Sequence, residues 1–229
     1  VADSGAEIVT TGSRVATPSI TNTQEANVDE GGIVKVHGEH LVILRRGRLF
    51  TVSLAGDGLR PVDSINAFPP GVDGRGDYYD EMLIAGERVI VIGFSYDRGG
   101  TEINRFRISP DGRLSWEDSY HLRSNDYYSS RNYASRLIGD RLILYTPLDL
   151  DWTDDPLEAL PGVRRWRGDN AEGPFQRIAG AREIYKPPTA LRERGVYFDT
   201  LHTVMDCDVA AATLDCSATG VLGPESRTF

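Results

Sequence analysis

From Val28 onward the apolar residues fall in short runs of Val, Ile, Leu, Phe and Tyr, broken by Gly, Asp-Gly and Pro-Asp-Gly, and no stretch keeps a 3.6-residue period for a useful length. Runs of this length, rich in β-branched and aromatic residues and bounded by turn formers, predict strands joined by tight turns. Residues 1–27 differ. They are rich in Ser, Thr, Ala and Gly without periodicity, and predict an extended or disordered arm.

Laid under one another, Ile33–Leu44, Glu81–Ile92 and Ala134–Tyr145 align without gaps, with Gly38, Gly86 and Gly139 in one slot and an acidic residue after each. Gly followed by an acid between two apolar strands is hairpin chemistry, because Gly and Asp tolerate the positive φ of a tight turn. Each hairpin leads to a second strand pair: Leu49–Leu54 with Leu59–Ile65, then Ile103–Ile108 with Leu114–Leu122. In the third unit an insertion over about 149–199 intervenes before Thr200–Val209 and Cys216–Leu222. The insertion carries five prolines and predicts a long loop, with short helices near Pro156–Leu160 and Pro174–Arg182. Four antiparallel strands repeated about every 50 residues predict an all-β fold of β-propeller type. The blades span about 33–67, 81–122 and 134–222, within a domain over 28–229. A β-sandwich also uses many short strands, but does not call for a four-strand repeat with one conserved hairpin.

The stretch Thr21–Gly38, with Val28-Asp-Glu running into Ile33-Val-Lys, resembles the entry motif of the bacterial and archaeal secreted β-propeller domain family. Ser135-Arg-Leu-Ile-Gly-Asp140 and Val221-Leu-Gly223 resemble the same family. The resemblance implies a secreted, periplasmic or cell-surface location and brings no established activity. Three blades do not close a ring, since propellers use about four to eight. The expectation is therefore an incomplete ring, part of a longer or cleaved protein, whose remaining blades lie on a second chain or a further segment and are its first partner.

Composition narrows the partners. With 34 acidic against 25 basic residues the net charge is −9, and phosphate backbones are poorly attracted to such a surface, which argues against nucleic acid. No apolar run approaches the roughly 18 residues of a membrane helix. The two cysteines, Cys207 and Cys216, flank a turn in a strand–turn–strand stretch and can face each other as a disulfide, the alternative being two buried thiols. A disulfide favours an oxidising compartment.

Candidate ligand-binding residues begin with Asp29 and Glu30 before the first strand and Lys35 within it. Paired carboxylates suit Ca²⁺ or acid–base work, and they equally suit a turn whose charges pair with Lys35 or Arg136. Lys35, Leu83 and Arg136 stand three residues before the turn glycines, so two cations share one sector where an anion can bind or blades can be bridged. The acid-rich Asp149–Asp155 lacks the glycine and distal glutamate of a calcium loop, and reads as solvated. Ca²⁺ is thus the one cofactor these residues suggest. Tyr-Tyr pairs at 78–79 and at Tyr127 and Tyr128 precede the second and third units, and exposed tyrosines suit glycan or peptide ligands as well as packing. The four histidines have no metal-ligand spacing, and no nucleophile elbow is present. The arm segment Glu7–Arg14 resembles the strand by which some outer-membrane receptors pair with an energy-transducing partner, and otherwise reads as a spacer. The expected function is a binding or scaffold module. A propeller hydrolase or lyase on polysaccharide or peptide, or the non-catalytic propeller of a larger enzyme, is the alternative.

Overall fold

The computed structural model describes residues 28–125, 134–150, 159–168, 173–189, 193–195 and 198–225. The strands are β1 (Val28–Glu30), β2 (Val34–His37), β3 (His40–Arg45), β4 (Arg48–Ser53), β5 (Arg60–Asn66), β6 (Tyr78–Ala85), β7 (Arg88–Ser95), β8 (Gly100–Ile108) and β9 (Leu114–Leu122). Then follow β10 (Ala134–Ile138), β11 (Arg141–Asp149), β12 (Gly162–Arg165), β13 (Gln176–Arg177), β14 (Ile184–Tyr185), β15 (Thr200–Asp208) and β16 (Asp215–Gly223). The fold is all-β, as the hydrophobic pattern predicts.

The strands form three sheets. The first is β2-β3-β4-β5, the second has β6 to β9 at its heart, and the third is built on β10-β11-β15-β16. Their first hairpins turn at Gly38, Gly86 and Gly139, whose φ values of 55°, 56° and 60° lie in the left-handed region that a side chain would strain. The third sheet is stapled across its outer pair by the Cys207–Cys216 disulfide, S–S 2.10 Å, at directly opposed positions of β15 and β16.

The second sheet lies between the other two, and its sequence explains why. Along β7, Val89 and Val91 join a core shared with Val42, Leu44 and Leu49 of the first sheet. The alternate residues Ile90 and Ile92 join a core shared with Leu142, Leu144 and Met205 of the third. A strand buried on both faces needs an unbroken apolar run, whereas one with a single covered face alternates. β3 shows that alternation, with Val42 and Leu44 buried and Leu41 and Ile43 half-buried. Polar anchors accompany the cores: the Thr51 hydroxyl donates to the Gly112 carbonyl at 2.6 Å, and Asp63 accepts from the Leu114 amide at 2.9 Å.

Two expectations need correction. The segment between β11 and β15 is not simply a long loop: β12 and β13 extend the outer edge of the second sheet, and β14 pairs in parallel with β16. Backbone donors near an exposed edge are satisfied by adding a strand. Where a helix is expected near 174–182, residues 176–177 are strand, because Gln176 is held in register with Val163. The partner helix near 156–160 falls largely outside the described residues. The entry strand β1 does not prolong the first sheet; it pairs with β10 of the third, Glu30 opposite Arg136.

Candidate functional site

The entry segment crosses the inner strands of all three sheets. Asp29 and Glu30 lie on β1 against β10, the backbone of Gly32 bridges Met82 on β6, and Lys35 sits on β2. The buried Lys35 ammonium donates to Asp29 Oδ1 at 2.6 Å and to the Glu30 carbonyl. Arg136 Nη2 pairs with Glu30 Oε1 at 3.3 Å. The four charged residues picked from the sequence therefore converge, and they neutralise one another.

Two residues at this clasp escape a reading of the sequence. Ser135 Oγ donates to Glu81 Oε2 at 2.5 Å, and both pack on Gly31, where a Cβ would stand 2.8 Å from Glu81 Oε2 and 2.9 Å from Ser135 Oγ. Burial pushes the Glu81 carboxyl up, an effect that the Ser135 hydrogen bond only partly offsets. Glu81 opens the second repeat copy and Ser135 adjoins Arg136, but repeat alignment says nothing of contacts between copies. A side chain in place of Gly31 would therefore have to displace the Glu81 carboxyl and the Ser135 hydroxyl.

A larger polar network fills the second sheet. Glu102, fully buried on β8, accepts from Tyr79 Oη at 3.0 Å, Asn104 Nδ2 at 2.7 Å and Arg98 Nη2 at 3.0 Å, and lies 3.0 Å from His121 Nε2. Arg98 also holds Asp77 at 2.5 Å. Beyond Asn104 the chain of bonds runs through Ser119 to the indole of Trp116. Burial pushes the Glu102 carboxyl up, but His121 and Arg98 outweigh it and hold the group below its ordinary value. Burial, then the Glu102 charge, push the Tyr79 hydroxyl up. Both carboxylate oxygens of Glu102 are satisfied, which is the condition for keeping a carboxylate in a core, whereas among the described residues the buried His121 Nδ1 has no hydrogen-bond partner.

Residues 18–111 match a family model described as a beta propeller domain. That stretch is similar to this family, and the fold is of beta-propeller type. Its three sheets are blades, and among the described residues they form no closed ring. No curated protein matches the chain.

In each blade the connection from the preceding blade and the turn between its second and third strands emerge at the same end of the sheet. The 67–77 connection, the 96–99 turn and the insertion after Asp149 therefore share one propeller face. Tyr78 and Tyr96 are exposed there, with rings 6.0 Å apart, and Tyr96 stands edge-on to Phe94 at 5.1 Å. Of the Tyr78-Tyr79 pair, only Tyr78 is exposed; Tyr79 belongs to the buried network and packs 5.6 Å from Phe68. Tyr127, Tyr128, the arm and most of Asp149–Asp155 lie outside the described residues.

Proposed function

We propose that this propeller is a binding or scaffold module of the cell envelope or the extracellular space, taking a glycan or protein ligand on the loop face that bears the insertion. The exposed Tyr78–Tyr96 pair carries the reading. Flat aromatic surface with a polar tip, fixed at strand ends, gives contact area at low entropic cost. The cluster of Asp29, Glu30, Lys35 and Arg136 supports a clasp between blades more than an acid–base pair, since its charges are spent on each other. The disulfide is compatible with an oxidising compartment, and among the described residues no helix is long and apolar enough to cross a membrane. Further blades, stacked on the outward faces of the first and third, are the other partner.

Probing glycan and peptide arrays with the chain and with a Tyr78→Ala/Tyr96→Ala variant tests the ligand. We expect binding that the double variant loses without a change in melting temperature. Binding equal in both forms, or none in either, refutes this site.

A further inference from the structure

We propose that the corner where β12 and β13 widen the second blade is a binding site for an acidic glycan, its arginines taking a uronate carboxylate and its aromatic side chains the sugar ring. The site is separate from the Tyr78–Tyr96 pair, which stands on β6 and the turn after β7, and does not rest on it.

Register assembles the corner. Val163 packs with Leu122 on the side of the third blade, so its neighbour Arg164, opposite His121, faces the side of the first. Arg123, Gly162 and Arg177 form one row on that same side: the Arg123 amide donates to the Gly162 carbonyl at 2.9 Å, and Gly162 pairs with Arg177. His121, Arg164 and Phe175 form the next, and beyond them Trp166 meets Trp116 edge to face at 5.7 Å. The first blade ends at β5, which packs on β9, so β12 and β13 project past it. Between Arg123 and Arg177 the surface is stepped, because a Cβ at Gly162 would meet Phe175 Cβ at 3.0 Å.

The arginines are held for an anion. Arg164 and Arg123 lie over the Phe175 ring at 4.4 and 4.7 Å. Each spends one nitrogen on a backbone carbonyl, Arg164 on Arg98 at 2.5 Å and Arg123 on Leu160 at 3.0 Å. Among the described residues no carboxylate reaches Arg164 or Arg177 at ion-pair distance, in a chain whose net charge is −9. A guanidinium fixed flat with its remaining donors outward fits a carboxylate with two parallel bonds. The row of Arg164 also holds an unfilled bonding place. His121 is buried, its Nε2 engages Glu102, and its Nδ1 has no partner among the described residues. With Nε2 donating, Nδ1 is left as an acceptor, and a polyhydroxy ligand supplies a donor, directly or through a water that it seats.

A glycan fits the corner better than a peptide. An added peptide strand needs a sheet edge to pair with, and β13, the edge here, is two residues long. Indole rings beside the arginines suit a sugar ring, whose apolar face stacks on them.

Calorimetric titration of the full chain with oligogalacturonate, with its methyl ester and with oligo-glutamate of similar length tests this. We expect binding of the free uronate alone. Arg177→Glu, at an exposed position, is expected to weaken it about tenfold or more at unchanged melting temperature. Arg164→Lys should weaken it too, because an ammonium lacks the fork, whereas Tyr78→Ala/Tyr96→Ala should leave it intact. The proposal is overturned by equal binding of the ester or of oligo-glutamate, by indifference to both arginine variants, by loss in the tyrosine variant, or by no binding at all. Of these outcomes, failure of the arginine corner leaves the Tyr78–Tyr96 reading standing, since that reading is tested by its own double variant.

Discussion

Glu102 shows how one residue can be both a liability and an anchor. Its carboxylate is fully buried, and four side chains donate to it or pair with it. Replacing it with Gln leaves Arg98 and His121 facing a neutral amide in a dry site, and Glu102→Gln is expected to destabilise by about 3 kcal/mol. The pH dependence follows from the depressed carboxyl. Its contribution is complete above the ordinary value of 4.5 and is lost as pH falls below it through the folded-state value. Urea titrations of both forms from neutral to acid pH measure this; the variant should lose less stability over that window. On the strand, Glu102 and Asn104 alternate with Ile103, a pattern that reads as a solvent-facing side. Only the covering first blade and the loop before β6 turn that side into an interior.

The turn between β15 and β16 illustrates how elements are fixed to one another. Arg105, buried on β8, forms a two-pronged pair with Asp118 at 2.7 Å and donates to the carbonyls of Val209, Ala211 and Ala212. The Tyr120 hydroxyl donates to Asp118 and accepts from the Leu214 amide. Arg88 reaches the same turn from β7. A fork of donors thus grips the backbone of the third blade's last hairpin from the second blade, which suits a planar guanidinium more than an ammonium. Arg105→Ala strands the Asp118 charge and is expected to cost about 3 to 5 kcal/mol. Hydrogen exchange reads the local effect, with amides of residues 209–214 exchanging faster while β2 to β5 stay unchanged.

At the scale of the whole molecule, stability should be graded across the arc of blades. The second blade is sealed on both faces, whereas the first and third each keep one face outward. Opening free energy follows the burial that must be undone. Amides of β7 and β8 are therefore expected to exchange slowest in the chain, and those of β5 and β16 earlier, in a native-state exchange experiment. The entry segment adds a tie across the arc, because β1 pairs with the third blade while Lys35 holds it from the first.

The apolar–polar rhythm and the repeated Gly-acid hairpin by themselves determine strands, turns and the four-strand unit, since side-chain alternation and left-handed turns are local consequences of residue type. The pairing of Cys207 with Cys216 is legible for the same reason: both lie on one hairpin. Which strand joins which sheet beyond that unit is decided only in three dimensions. β1 on β10, β12 on β9 and β14 on β16 are pairings between segments distant in sequence, set by which edges stand open. That Lys35 and Arg136 share one sector is foreshadowed by the aligned repeats, because they hold equivalent positions on inner strands, whereas Asp29 and Glu30 precede the repeat and join them through the pairing of β1 with β10. Glu81 with Ser135, and Glu102 with His121, come together through contacts between blades and between strands, where a polar residue becomes interior because another element covers it.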